Sequence, residues 1–403
     1  MRLQGAQVVL GVTGGIAAYK AVDLCSKLVQ REAGVDVIMT EAATHFVPPL
    51  PFQTLSQRPV SIGPFQLLRD MEMAHISLAK KADVLIVAPA TANTIAKLAQ
   101  GLADNLLTST ALACMAPLIL APAMDAEMWE HPATQANIAL LRERGAIIAG
   151  PASGRLASGR MGTGRLVDTA TLLGTIETVL GRNGPLAGRR VLVTAGGTQE
   201  PLDPVRHLGN RSSGRMGYAL ATAARNLGAQ VTLVSAPTCL PPVIGAETVS
   251  VRTAAEMQQA VLDHCPDSDA LIMAAAVADY RPAQAASEKL KKGDGGLMLR
   301  LERTADILQS VAGSSDRPRV VVGFAAETEN LLRNAKQKLS QKNLDMIVAN
   351  DVSACDSGFA VDTNRVVLLM RDGTQEALDL MPKAQVADQI MERVVTMLEA
   401  RDD

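Results

Sequence analysis

The chain has 403 residues, 48% of them hydrophobic and 20% charged, with a formal charge of −2. That is enough apolar material for two packed domains, and it excludes wholesale disorder. Near-neutral charge and an aromatic content of 2% argue against a nucleic-acid scaffold, leaving only local basic clusters for small anions.

The aliphatic, glycine-rich balance suits parallel-sheet α/β layers. Five cysteines (Cys25, Cys114, Cys239, Cys265 and Cys355) are odd in number and form no CxxC pair, so neither a zinc site nor a disulfide framework is expected. Residues 1–12 lack the layout of a signal peptide. Apolar stretches are broken by Gly, Pro or charge well before roughly 18 residues. The expectation is a soluble cytoplasmic protein with no membrane span.

Residues 7–12 read as a buried strand, followed by a Thr13-Gly14-Gly15 turn. Apolar groups at Ile16, Ala17, Val22, Leu24 and Leu28 place a helix over 16–31. Gly34 is expected to end it, with a strand over 35–39. Further strands fit 83–88, 118–121 and 145–149, with a helix over 91–100. Together these make an open, mostly parallel sheet.

Residues 151–166 change character, with Gly154, Gly159, Gly162 and Gly164 set among arginines. So few apolar residues suggest a mobile flap over an active site, or an ordinary surface loop. A helix fits 169–180 and a linker 181–188, and then the pattern restarts. A strand over 190–194 leads to a glycine turn over 195–198, a helix over 216–227 and a strand over 231–235. Later strands fit 270–274, 320–324, 346–349 and 365–371, before a helix over 382–400. The expected organisation is two doubly wound, Rossmann-like α/β domains, 1–188 and 189–403, each opening with a nucleotide-type turn.

Glycines at a strand-to-helix turn let backbone N–H groups approach a phosphate, although such turns also serve close packing alone. Neither turn matches GxGxxG, and the following strands end at Met39-Thr40 and Val234-Ser235 rather than at a ribose-binding acid. A dinucleotide is therefore disfavoured; a mononucleotide or flavin phosphate remains open.

Four motifs sit in the first half: Gly14-Gly15-Ile16-Ala17-Ala18-Tyr19-Lys20, Ala74-His75-Ile76-Ser77-Leu78, Ala88-Pro89-Ala90-Thr91-Ala92-Asn93-Thr94 and Pro122-Ala123-Met124-Asp125-Ala126-Glu127-Met128-Trp129. Here the chain resembles flavin-dependent cysteine decarboxylases. The nearest pattern is the first half of the bifunctional phosphopantothenoylcysteine decarboxylase/phosphopantothenate–cysteine ligase family of coenzyme A biosynthesis. The resemblance implies FMN contacts at Thr13, Gly14, Gly15, Ile16, Thr40, Thr91 and Asn105. It makes His75 the base while the thiol is oxidised to a thioaldehyde, the electron sink that lets the carboxylate leave as CO2. Met124 and Asp125 would hold the substrate carboxylate.

Two positions depart from that family's pattern. Asp125 stands where Asn is usual, and a carboxylate there repels a substrate carboxylate unless a proton or a cation intervenes. Ser158 stands where a cysteine often donates the proton of the reductive step. A hydroxyl is a far weaker acid, so that step needs another donor or stops at the enethiol.

The second half carries Gly196–Arg206, Asn210-Arg211-Ser212-Ser213-Gly214-Arg215-Met216-Gly217, Ala274–Tyr280, Lys289-Leu290-Lys291-Lys292, Gly323–Thr328 and Ala349–Val352, which look like the ligase half. In that family the carboxylate of 4′-phosphopantothenate attacks the α-phosphate of CTP, and L-cysteine converts the acyl-cytidylate to an amide. Joining anions requires cations and N–H donors. The resemblance implies Lys289 as a catalytic cation and Asn210 orienting the acyl-cytidylate, with phosphate held at Ser212, Ser213 and Gly214. The nucleotide would meet Ala275, Ala305, Asp306, Ile307 and Leu308, with Phe324 against the cytosine and Lys338 and Lys342 one helical turn apart. Asp279 would meet the nucleotide or its Mg²⁺. Thr304-Ala305 replaces a usual Pro at its second position.

The first reading is thus an enzyme performing both steps, as a homo-oligomer with trimeric decarboxylase and dimeric ligase contacts. A second keeps an active ligase and makes the first domain a flavin-binding regulatory unit with impaired decarboxylation. A third, a nicotinamide dehydrogenase, is disfavoured by the missing glycine pattern and ribose acids.

Overall fold

The strand-forming runs of this chain are continuous rather than alternating, as in Val84-Leu85-Ile86-Val87-Ala88, every residue of which is buried. Such runs belong to strands covered on both faces. The computed structural model describes residues 3–63, 73–292, 297–327, 331–351 and 361–402. Thr328, Val352 and Cys355 lie outside the described residues. The chain divides into two units, Met1–Gly181 and Arg182–Asp403.

In the first unit the order is β1 (Gln7–Val12), α1 (Ala18–Gln30), β2 (Gly34–Met39), α2 (Glu41–Thr44), α3 (Leu50–Ser56) and β3 (Val60–Ser61). There follow α4 (Ala74–Lys81), β4 (Val84–Ala90), α5 (Ala92–Gln100), α6 (Leu106–Ala113), β5 (Leu118–Pro122) and α7 (Ala126–Glu130). The unit ends with α8 (Pro132–Glu143), β6 (Ile147–Ile148), β7 (Ala152–Arg155), β8 (Met161–Arg165) and α9 (Thr169–Gly181). Six parallel strands run in the order β3-β2-β1-β4-β5-β6. Val8, Leu10 and Val12 of β1 face one apolar cluster and Val9 the other, so helices cover both sides.

Two expectations change here. Helix α1 begins at Ala18 and is closed at Arg31 and the left-handed Glu32 (φ 63°), while Gly34 already opens β2. Gly34 is needed for packing: a Cβ there would meet the Gln7 and Arg58 side chains. Residues 151–166, expected as a flap or a surface loop, form the antiparallel hairpin β7–β8. Leu156 and Leu166 are buried and anchor it.

The second unit starts β9 (Arg190–Ala195), β10 (Gln199–Pro201), β11 (His207–Gly209), α10 (Arg215–Asn226), β12 (Gln230–Ser235) and β13 (Ala246–Ser250). It continues α11 (Ala254–His264), β14 (Ala270–Met273), β15 (Tyr280–Pro282), β16 (Leu301–Arg303), α12 (Ile307–Ala312) and β17 (Val320–Glu327). It closes with α13 (Leu331–Gln341), β18 (Met346–Asp351), β19 (Thr363–Met370), β20 (Gln375–Pro382) and α14 (Lys383–Glu399). The sheet order is β13-β12-β9-β14-β17-β18-β19-β20, parallel as far as β18 and antiparallel at the last two strands.

The Gly196-Gly197 turn does not feed a helix, as the sequence pattern suggested; the β10–β11 ribbon intervenes. A Cβ on Gly197 would stand 2.7 Å from the Asn210 carbonyl oxygen, so this glycine admits the loop before α10. Among the described residues no helix is long and apolar enough to cross a membrane.

Candidate functional site

In the first unit the chain steps outward from β1 through β2 to β3, then returns to β4 on the opposite side of β1. That reversal opens a crevice at the carboxyl ends of β1 and β4. Thr13 follows β1 and Thr91 follows β4. The buried Thr13 hydroxyl donates to the Pro89 carbonyl at 2.7 Å and accepts from the Thr91 amide at 3.2 Å, tying the two ends together. Thr40, which caps α2, donates its amide to Val12 O at 3.0 Å. Gly14 lies so close to α2 that a Cβ would come within 2.5 Å of Ala42 Cβ. Thr13, Gly14, Gly15, Ile16, Thr40 and Thr91 therefore follow the carboxyl ends of the neighbouring strands β2, β1 and β4.

Asn105 caps α6 through a reciprocal pair with Thr108 (3.0 Å to its amide). Helix α6 packs on α4, whose first turn holds the half-buried His75.

The hairpin lies against the loop of Met124 and Asp125. The Met124 amide donates to Gly164 O at 2.9 Å, and a Cβ on Gly164 would fall 2.2 Å from Met124 O. Asp125 caps α7, accepting from the Glu127 amide at 3.4 Å. At the hairpin tip the Ser158 hydroxyl donates to Asp125 at 2.6 Å, and Arg160 pairs with Glu127. The Ser158 bond, followed by the Glu127 amide, holds the Asp125 carboxyl below its usual range. The two departures from the decarboxylase pattern are thus bonded to each other. At the hairpin's base, Lys20 donates to Leu166 O at 3.4 Å; burial, then Arg165, pulls its ammonium pKa down.

The second unit holds a cavity of about 1040 Å³ at the carboxyl ends of β14, β17 and β18. Asn210, Ser212, Ser213, Gly214, Ala275, Asp279, Ala305, Asp306, Ile307, Leu308, Phe324, Lys338 and Lys342 all line it. Lys289 does not: it is exposed, on a segment fastened by the Leu290 amide to Asp203 at 3.1 Å. Asn210 donates to Val277 O at 2.9 Å, the Ala275 amide to Thr194 Oγ1 at 3.1 Å, and Gly214 N to Ser212 Oγ at 3.3 Å. Asp306 caps α12 and pairs with Lys342 at 2.9 Å.

Sequence reading missed Arg211, Arg215, Arg303, Asn364 and Lys383 in this lining. Arg211 and Arg215 lie inside a quoted motif. Lys383 comes into place only once the β19–β20 pair returns the chain to the sheet, and no local pattern announces it. In all, Arg211, Arg215, Arg303, Lys338, Lys342 and Lys383 face two acids, Asp279 and Asp306. That imbalance suits a polyanion. Among the described residues no cluster of three or more His, Cys, Asp or Glu could hold a metal by protein ligands alone.

A family model described as "Flavoprotein" matches residues 2–181, and one described as "DNA/pantothenate metabolism flavoprotein C-terminal domain" matches residues 186–398. The Coenzyme A biosynthesis bifunctional protein CoaBC of Bacillus subtilis (strain 168) is 46% identical over 398 residues, 98% of both chains. The chain belongs to the family of coenzyme A biosynthesis bifunctional proteins. Its relative of the same name from Mycobacterium tuberculosis (strain ATCC 25618 / H37Rv) is 44% identical over 407 residues, 97% of both chains. Among solved structures, the C-terminal domain of Coenzyme A biosynthesis bifunctional protein CoaBC covers 55% of this chain and 100% of its own, with 42% identity and a TM-score of 0.47. The two family models meet between residues 181 and 186, where the units also part.

Proposed function

We propose that this chain performs two consecutive reactions of coenzyme A biosynthesis, with ligation in the 189–403 domain and decarboxylation in the 1–188 domain. CTP, 4′-phosphopantothenate and L-cysteine give 4′-phosphopantothenoylcysteine, which is then decarboxylated to 4′-phosphopantetheine. The observation that carries the ligase reading is the cavity with six cations against two acids. The acyl-cytidylate step brings a carboxylate to a triphosphate, and that meeting is possible only where charge is neutralised in advance. Lys338 and Lys342 supply cations from the last turn of α13 and the residue after it. Ser212, Ser213 and the Gly214 backbone supply donors, and Phe324 is the aromatic wall for cytosine. Mg²⁺ would sit between the triphosphate and Asp279, a single-carboxylate mode that needs no protein cage. Lys289 enters on resemblance alone.

In the first unit, FMN would lie at the β1–β4 crevice, its phosphate near Gly14 and Gly15 and its ring system covering apolar surface. Ile16, which follows the Gly14-Gly15 turn, is 62% exposed and offers apolar surface there. Bound there, the flavin would take two electrons from the substrate thiol and return them after CO2 is lost, so that the reaction to 4′-phosphopantetheine is redox-neutral. His75 takes the thiol proton, Met124 positions the substrate carboxylate with Asp125 facing it, and the hairpin bearing Ser158 excludes water. A cytoplasmic homo-oligomer is the setting this reading assumes.

The test supplies 4′-phosphopantothenate, cysteine, CTP and Mg²⁺ to the full chain and follows CMP, pyrophosphate and CO2. His75→Asn is expected to abolish gas release and spare CMP. Lys289→Gln is expected to abolish CMP, while CO2 still forms from added phosphopantothenoylcysteine. A yellow protein that makes CMP but never CO2 would reduce the first unit to a flavin-binding regulator.

A further inference from the structure

Four of the cavity's six cations, Arg211, Arg215, Arg303 and Lys383, have no role assigned above, and Arg215 and Lys383 stand together. Lys383, the first residue of α14, is 6% exposed, and Arg215 is the first residue of α10. Both line the cavity, together with Ser212, Ser213, Gly214 and Asn364. Lys383 donates through Nζ to Val361 O at 2.7 Å and through its amide to Asp362 O at 2.9 Å. Arg215 pairs with Asp362 at 2.5 Å, and the Asp362 side chain is 85% exposed.

Placing these two cations together carries costs that a bound anion would offset. A buried ammonium loses solvation. A lysine and an arginine in first turns also oppose the positive ends of a 17-residue and a 12-residue helix, and neither helix has a side-chain cap. The two cations repel each other, and the Asp362 carboxylate that pairs with Arg215 is largely solvated. In agreement, burial, and after it Arg215, draws the Lys383 ammonium pKa below its usual value, with Asp362 opposing. A doubly charged phosphate group reverses each of these terms at once, because it accepts from both cations and complements both helix ends.

We propose that Arg215 and Lys383 form a phosphate subsite at the pole of the ligase cavity opened by the first turns of α10 and α14, distinct in its residues from the Lys338–Lys342 pair at the end of α13. The inference rests on the ligase reading, since two phosphate-bearing substrates must be seated in one cavity. The recognised chemistry is a terminal phosphate. Its source is either the β,γ-phosphates of the nucleotide, which leave as pyrophosphate, or the phosphomonoester of 4′-phosphopantothenate.

Calorimetric titration of the full chain with CTP, CMP, pyrophosphate, 4′-phosphopantothenate and pantothenate tests it, using wild type, Lys383→Gln, Lys383→Arg and Arg215→Gln. Charged hydrogen bonds of this kind change affinity by about tenfold or more when one partner is removed. A loss of that size for CTP and pyrophosphate, with CMP and 4′-phosphopantothenate unchanged, supports the subsite and assigns it to the leaving phosphates. A loss confined to 4′-phosphopantothenate, absent for pantothenate, supports it and assigns the phosphomonoester. Lys383→Arg is expected to recover binding in either case, which a purely structural lysine would not require. If Lys383→Gln fails to fold, Arg215→Gln, with a side chain 41% exposed, gives the same comparison. Wild-type affinity for every phosphate ligand in the folded variants overturns the subsite. Wild-type protein that binds neither CTP nor 4′-phosphopantothenate overturns the ligase reading itself, and the subsite with it.

Discussion

Gly164→Ala perturbs the first unit at one defined contact. The added Cβ would stand 2.2 Å from Met124 O and 3.3 Å from the Asp125 carbonyl carbon, both backbone atoms that no rotamer change can move. Comfortable carbon contacts begin near about 3.5 Å, so β8 and the Met124 loop must part by roughly 1 Å. The 2.9 Å bond from the Met124 amide to Gly164 O then leaves hydrogen-bonding range. Losing it costs about 1 kcal/mol, and the overpacking about 1–3 kcal/mol more. Docking of the hairpin weakens by about 2–4 kcal/mol in total, which bounds the loss of a productively closed site at about 30- to 1000-fold. The assay is CO2 release from phosphopantothenoylcysteine beside CMP formation by the same preparation. Decarboxylase kcat/KM is expected to fall more than about tenfold while CMP formation stays within about twofold, and the Met124 amide should lose exchange protection. Wild-type gas release with unchanged exchange would refute the claim that hairpin docking shapes the site.

Asp125→Asn removes a negative charge facing the substrate carboxylate and is expected to lower KM for decarboxylation severalfold, since an exposed pair of charges is worth about 1 kcal/mol or less; an unchanged KM places Asp125 away from that carboxylate. Asp203 accepts from the Arg206 guanidinium and from the amides of Val205, Arg206 and Leu290, with the guanidinium first among the causes holding its carboxyl well below the usual range. A depressed folded-state pKa stabilises above the unfolded carboxylate value of about 4 and is lost as pH falls below it. The second unit should therefore melt earlier below about pH 4, and Asp203→Asn should flatten that dependence; identical pH slopes would count against the contact. Burial pushes the Cys25 and Cys265 thiols up to about 11, leaving about one in a thousand ionised at pH 8, whereas Cys239 is exposed. Brief maleimide treatment read by mass spectrometry should modify Cys239 and spare those two, and rapid labelling of either buried thiol would contradict their placement.

The parallel core was legible because its strands are continuous apolar runs and its helices repeat buried residues at helical spacing, as Ala21, Leu24, Cys25 and Leu28 do in α1. Short edge elements were not. The two-residue strand β3 carries too little pattern, and β13 and β20 alternate polar residues, whereas β6 falls within the strand expected over 145–149. The β7–β8 hairpin was hidden for a different reason. Its glycines look like loop composition, yet Gly162 and Gly164 are where β8 passes within van der Waals contact of Ala126 and Met124, so they mark close approach. Gly34 misled similarly, because the left-handed position closing α1 is taken by Glu32.

The ligase cavity was legible where its residues share a motif, from Asn210 to Gly214 and from Ala305 to Leu308. The exceptions follow from distance along the chain. Lys383 reaches the cavity from beyond two antiparallel strands, and Lys289 is exposed in a basic run that the Leu290 amide and carbonyl tie to Asp203 and Arg206, outside the cavity lining. Tertiary placement decided both.

The order of products tests the tandem scheme most directly. With 4′-phosphopantothenate, carboxyl-labelled cysteine, Mg²⁺ and CTP mixed with the full chain in a single turnover, CMP should appear first. Labelled CO2 should follow with a lag and reach the same total. Without CTP no label should be released until phosphopantothenoylcysteine carrying it is added. Labelled CO2 evolved in the absence of CTP, or gas that precedes CMP, would contradict two successive sites joined by one intermediate.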